Sequence, residues 1–133
     1  MQELKKFIEE WEDTNGMKGA FLKFKELLES QDSAELEFNA RPGVSYSLRA
    51  KHPAQTDRPL YVMVDVVDDD PTDRWLSVCF YGDMITDPDE EGDLIPEGLL
   101  GQDGYCFDAD DPDPAKADYI AARIAEAYAS ARK

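Results

Sequence analysis

Alternation of apolar and polar residues with a period of two is the feature that most constrains the fold of this chain. Leu36, Phe38 and Ala40 alternate with acidic and amide residues, and the same pattern resumes after a Pro-Gly turn. A pleated strand points successive side chains to opposite faces, so this pattern indicates strands with one buried face. Four consecutive strands are predicted, at residues 35–40, 44–51, 60–67 and 74–81. Short loops join them, which favours an antiparallel meander.

Helical periodicity precedes and follows the strands. Apolar residues recur at helical spacing in three segments, at residues 2–12, 17–30 and 114–131. A break at residues 13–16 turns the first two segments into a helical hairpin. Asp113 followed by Pro114 is a typical start for the last helix.

Residues 82–114 are rich in glycine and proline and predict a long loop, with a short fifth strand at 104–107. The expected architecture is therefore α+β, in a single domain over residues 1–133. It combines an N-terminal helical hairpin, a four- to five-stranded antiparallel meander and a long Gly/Pro-rich loop. A C-terminal helix is expected to pack on the sheet.

The charge is strongly acidic and unevenly distributed. The formal net charge is −16, of which residues 61–133 contribute −14 and residues 1–60 only −2. Such a field repels phosphate backbones and anionic membranes, so nucleic acid and membrane are not expected partners. A basic protein is the partner class that the charge favours. The chain is expected to be a monomer or a homodimer, and any dimer would avoid the acidic half.

The N-terminus carries acids where an export signal needs a basic flank, and the chain has no apolar stretch long enough to span a bilayer. A cytoplasmic location is therefore expected. Cys79 and Cys106 are then interpreted as reduced thiols rather than a disulfide framework. His52 is the lone histidine, and nothing in its spacing pairs it with Cys79 for nucleophilic catalysis or provides a zinc site.

One acidic loop resembles part of a calcium-binding loop. Asp87, Asp89, Glu91 and Asp93 occupy alternating positions, and Gly92 stands at the turn position. The match then fails, because position 12 is a glycine rather than a glutamate. Solvated surface acids are the favoured interpretation, and Ca²⁺ or Mg²⁺ is the only cofactor that the sequence suggests.

The strand pattern also predicts a recognition face on the sheet, opposite the helices. Arg49, Tyr61, Trp75, Cys79 and Tyr81 fall on it by alternation. Aromatic and arginine side chains are common in binding surfaces. The 82–107 segment or the C-terminal helix is expected to cover this face, which would leave a pocket beneath the segment.

The segments Trp75-Leu-Ser-Val-Cys-Phe-Tyr-Gly-Asp-Met-Ile-Thr-Asp-Pro88 and Pro96-Glu-Gly-Leu-Leu-Gly-Gln-Asp-Gly-Tyr-Cys-Phe-Asp108 give the chain a resemblance to known proteins. With the order of its elements, it resembles small bacterial proteins grouped as domains of unknown function. That resemblance covers nearly the whole chain and implies a fold, but no activity, cofactor or site.

Two functions remain open at this stage. The favoured one is a non-enzymatic module that binds a partner protein through the sheet face. The alternative is a protein that binds a ligand or a divalent cation, or an enzyme, with its site under the 82–107 segment.

Overall fold

The computed structural model describes residues 2–133 and places three helices on one six-stranded antiparallel sheet. The helices are α1 (Gln2–Glu10), α2 (Met17–Ser30) and α3 (Pro114–Ala131). The strands are β1 (Glu35–Arg41), β2 (Ser45–Lys51), β3 (Val62–Val67), β4 (Trp75–Tyr81), β5 (Asp93–Leu99) and β6 (Gln102–Ala109). The predicted α+β class with an antiparallel sheet is confirmed. Within residues 2–133 no helix is long and apolar enough to cross a membrane.

The sheet has six strands where four to five were predicted. Its order is β1-β2-β3-β4-β6-β5, so the first four strands form the expected meander and β6 pairs with β4. Much of the segment predicted as loop is thus a hairpin, with β5 at the sheet edge. Pro96 explains why β5 lies outside: proline has no N–H to donate to a second neighbouring strand. Strand β5 was not predicted because Pro96 and Gly98 interrupt the alternation of apolar and polar residues within it.

All three helices lie on one face of this sheet. The Phe7 ring of α1 stacks on Tyr46 of β2 with ring centroids 4.1 Å apart. The Tyr119 ring of α3 lies 6.1 Å from that of Phe107 in β6. The residues of the central strands on this side include seven that are completely buried: Leu48, Val62, Val64, Val66, Leu76, Val78 and Phe80. This layer is the hydrophobic core, and its burial is the main favourable term in folding.

The connection from β4 to β5 is fastened to the helix side of the molecule. The Asp87 carboxylate accepts hydrogen bonds from the hydroxyls of Tyr119 and Tyr105 and from the backbone N–H groups of Gly92 and Glu91. Burial opposes ionisation of this carboxyl group, but the four donors outweigh it and lower the Asp87 pKa to about 2. Asp87 is therefore a structural anchor for the connection.

Two further contacts hold the same connection in place. Thr86 donates from its backbone N–H and its hydroxyl to the two carboxylate oxygens of Glu126 in α3. Gly92 lies so close to β6 that an added Cβ would stand 2.4 Å from the Tyr105 ring and 2.9 Å from that of Phe107. Only glycine permits this approach.

Candidate functional site

The sheet face opposite the helices is the candidate site, and we call it the helix-free face. On β3, Val62, Val64 and Val66 are fully buried under the helices, whereas the alternate residues are partly exposed. The helix-free face includes Arg41, Ser45, Ser47, Arg49, Met63, Asp65, Val67, Trp75, Ser77, Cys79, Tyr81, Cys106 and Asp108, and its β1 edge carries Asn39 and the ion-paired Glu35, Glu37 and Lys51. The β5–β6 hairpin extends the sheet sideways and α3 packs on the opposite side, so the prediction that the 82–107 segment or the C-terminal helix covers this face was wrong.

Strand register brings the apolar members of the face together. Met63 lies between Arg49 of β2 and Cys79 of β4, directly across from both. Val67 lies directly across from Trp75. Directly opposed side chains on one face of an antiparallel pair are in contact range. Apolar, aromatic and guanidinium groups therefore line one flat surface.

Three of the five predicted residues lie on the helix-free face without a side chain packed over them. Arg49 and Trp75 are partly exposed, and Cys79 is bonded to Cys106. Tyr61 lies elsewhere. Its hydroxyl donates to Gln31 at 2.6 Å, and its ring centroid lies 5.8 Å from that of Tyr128 in α3. The ladder of β3 begins one residue later, at Val62, so strand alternation does not govern the Tyr61 side chain. Burial raises the pKa of the Tyr61 hydroxyl, and the neighbouring Tyr128 raises it further by electrostatic repulsion.

Tyr81 is on the face but covered. The guanidinium carbon of Arg58 lies 4.3 Å from the Tyr81 ring centroid. Arg58 also binds both carboxylate oxygens of Asp83, at 2.6 and 3.0 Å, and donates to Gln102. The Tyr81 side chain is consequently 1% exposed, and burial raises its pKa. The loop before β3 thus closes one end of the face, leaving its centre and the Trp75 end free.

Cys79 and Cys106 form a disulfide, so the interpretation of them as reduced thiols was wrong. They lie directly opposite each other on β4 and β6. The two cysteines lie in the similar segments Val-Cys-Phe-Tyr and Tyr-Cys-Phe-Asp, but four residues are too few to specify that these segments pair. His52 is not beside them; it accepts a hydrogen bond from the N–H of Ala54 and packs against Tyr128.

A polar strip crosses the middle of the face, and Arg49 is the one member of it that was singled out from the sequence. Arg49 donates to the Ser47 hydroxyl at 3.1 Å. Asp65 lies directly across from both Ser47 and Ser77. Burial raises the Asp65 pKa, while the Ser47 hydroxyl and the guanidinium groups of Arg49 and Arg41 oppose that shift. One Asp65 carboxylate oxygen is buried without a hydrogen-bond partner. The strip therefore carries both hydrogen-bond donors and acceptors.

The Trp75 end of the face is an acidic corner. A cleft of about 390 Å³ is lined there by Asp73, Trp75, Asp108 and Asp110. Burial raises the pKa of Asp108, and the negative charges of Asp93 and Asp110 add to the effect, against the opposing influence of Lys116. The corner forms because β6 pairs with β4, which brings Asp108 and Asp110, at the end of β6 and its exit, next to Asp73 and Trp75.

The four residues of the calcium-loop prediction occupy different surroundings. Asp87 is engaged by its four donors, Asp89 and Glu91 are exposed, and Asp93 begins β5 across from Cys106. Over residues 2–133, no group of three or more His, Cys, Asp or Glu side chains is placed to hold a metal ion. Binding of Ca²⁺ or Mg²⁺ by this loop stays a prediction.

Comparison of the chain with protein-family models, with curated proteins and with solved structures gives no match in any of the three.

Proposed function

We propose that this protein is a non-enzymatic interaction module that binds a partner protein through its helix-free face. One observation carries the proposal. All three helices pack on the same side of the sheet, so the Arg49, Met63, Trp75 and Ser77 side of the central strands has no helix over it. An uncovered sheet face with a large aromatic residue is a recognised form of binding surface.

The composition of the face supports protein binding. Trp, Met and Arg are enriched in the centres of protein interfaces, and Arg49, Met63 and Trp75 supply one of each. These side chains are already partly buried by their cross-strand neighbours, and strand β3 holds their backbone in place. A surface of this kind loses little conformational entropy when a partner docks.

The charges of the face favour a partner with a complementary pattern. Arg41 and Arg49 lie on the β1–β2 side of the face, where Lys51 is already paired with Glu35 and Glu37, whereas Asp108 and Asp110 lie on the β6 side. The excess of acids over the second half of the chain favours basic partners and opposes self-association there. The electrostatic potential of these charges raises the rate of association with a complementary partner and disfavours partners of the wrong charge.

Site-specific photo-crosslinking tests the proposal. A photoreactive amino acid replaces Ser77 or Met63 at the centre of the helix-free face. In matched controls it replaces Glu12 or Glu26, which are exposed on the helix side. The variants are irradiated in cells of the source organism, and the adducts are identified by mass spectrometry.

We expect one recurring protein in the Ser77 and Met63 adducts, competed away by excess unlabelled wild-type protein and absent from the controls. Equal adducts from all four positions would contradict the proposal. So would a partner captured only from the helix side. Adducts between two copies of the chain would assign the face to self-association instead.

A further inference from the structure

We propose that the acidic corner receives an arginine side chain from the partner, stacked on Trp75 and bonded to the carboxylates of Asp73, Asp108 and Asp110. This inference rests on the proposed function and names the chemistry that the helix-free face recognises. The cleft of about 390 Å³ falls within the range of ligand-sized clefts.

The lining of the corner matches a guanidinium group. Tryptophan provides the best face for a cation, because the negative face of its π-system attracts positive charge. Carboxylates bond guanidinium in a planar, two-point manner. An aromatic ring with three carboxylates therefore offers both interactions that arginine makes, and the flat guanidinium stacks where a lysine ammonium does not. A hard metal ion, by contrast, gains nothing from an indole face.

The protein's own cations do not fill this corner. Arg74 precedes Trp75 but turns to the helix side, where its Nε donates to Asp68 at 2.7 Å and its guanidinium lies over the Trp11 ring. Among residues 2–133, none of the three corner carboxylates takes part in an ion pair within 4.0 Å. In the part of the chain that the structure describes, the Asp73 carboxylate accepts a hydrogen bond only from the Asn15 amide, at 3.3 Å.

The electrostatics of Asp108 agree with an unfilled cation site. Its pKa is raised by burial and by the neighbouring Asp93 and Asp110, and the cation of Lys116 offsets only part of that shift, so the ionised form has an excess of negative charge around it. A guanidinium in the corner would offset that repulsion. Because the corner lies at the surface, the attraction weakens as salt is added.

The test uses three short peptides as probes: acetyl-Gly-Arg-Gly-amide, its lysine counterpart and its citrulline counterpart. Citrulline has nearly the shape of arginine but no charge. Two-dimensional NMR follows the indole N–H signals of the two tryptophans. Trp11 is buried and lies on the helix side, so its signal serves as an internal control.

We expect the arginine peptide to shift the Trp75 signal and to leave the Trp11 signal in place. The lysine peptide should bind about threefold more weakly or worse, and the citrulline peptide should give no shift. Equal shifts with citrulline would overturn the inference. A shift of the Trp11 signal of the same size would overturn it too, since the binding would then lie elsewhere.

Variants separate the corner from the general charge of the chain. Replacing Asp108 and Asp110 by Asn should weaken arginine-peptide binding about fivefold, whereas Glu12→Gln with Glu26→Gln removes the same charge and should change it less than about twofold. Equal weakening by both pairs would show diffuse attraction only and would overturn the proposal. All four residues are exposed, so their replacement spares the fold.

The fate of the partner distinguishes this inference from the proposed function. A partner captured from Ser77 whose binding is unchanged by Trp75→Leu would leave the proposed function intact and overturn the arginine site. Binding of the arginine peptide at Trp75 without any partner captured from the helix-free face would support the arginine site and contradict the proposed function. Thermal melting of Trp75→Leu checks that the variant is folded.

Discussion

Replacing Asp87 by Asn should destabilise the protein, because this carboxylate anchors the connection between β4 and β5. One carboxylate oxygen accepts from the Tyr119 hydroxyl and the Glu91 N–H, and the other accepts from the Tyr105 hydroxyl and the Gly92 N–H. An Asn side chain keeps one acceptor oxygen but turns an NH₂ group toward the other two donors. Asp89→Asn removes the same charge from an exposed neighbour and is the matched control.

The magnitude follows from the pKa of the Asp87 carboxyl group. A depression from 3.8 to about 2 corresponds to roughly 2.4 kcal/mol of folding free energy, and solvent screening reduces this to about 1–2 kcal/mol. For a chain of this size, a loss of that order lowers the melting temperature by about 4–8 °C. Thermal melting and urea unfolding at pH 7 measure the difference between Asp87→Asn and Asp89→Asn.

The pH dependence of that difference has a defined sign. A carboxyl group whose folded-state pKa is lowered stabilises the protein above its unfolded pKa and loses that contribution as the pH falls through the folded value. The stability gap between wild type and Asp87→Asn should therefore be complete above pH 4 and shrink between pH 4 and about 2. A gap that is absent at pH 7, or unchanged at pH 2, would refute the anchoring role.

Three further changes test the packing around the site. Asp68→Ala leaves the partly buried guanidinium of Arg74 without its carboxylate partner and should cost about 2–4 kcal/mol in urea unfolding, whereas Ala at the exposed neighbour Asp69 should cost less than about 0.5 kcal/mol. Leu100→Asn should raise the unfolding free energy by up to about 1 kcal/mol, because residue 100 has φ +52° in a two-residue hairpin turn before a glycine; an unchanged or lower value would count against that turn geometry. Replacing both Cys79 and Cys106 by Ala should lower stability under oxidising conditions by about 3–4 kcal/mol, the value for a loop of 27 residues, and a thiol reductant should then no longer affect the melting temperature.

The parts of the fold that follow a regular period could be predicted from sequence. Helix α2 was predicted with the bounds it has, and the meander follows from alternation in segments such as Ser45–Lys51. Strand β5 could not be predicted in this way. Its pairing with β6 holds a segment that contains Pro96 and Gly98, which interrupt both alternation and strand propensity. Tertiary pairing overrode local preference there.

The candidate site was predictable only where it lies on the meander. Arg49 and Trp75 lie on the predicted face because each belongs to a regular strand, Arg49 within β2 and Trp75 as the first paired residue of β4. Tyr61 was misplaced because it precedes the first residue of its strand by one position. The disulfide and the acidic corner depend on β6 lying beside β4, a non-local pairing that no local pattern in β6 specifies.

The most direct test of the central claim is the affinity of the crosslinked partner for two serine-to-arginine variants. Ser77→Arg places a long cation at the centre of the helix-free face, and Ser30→Arg places the same group at the exposed end of α2. With both variants melting close to wild type, we expect Ser77→Arg to weaken binding by at least about tenfold, or roughly 1.4 kcal/mol, and Ser30→Arg to change it by less than about twofold. Equal affinities for the two variants would contradict the assignment of this face as the binding surface.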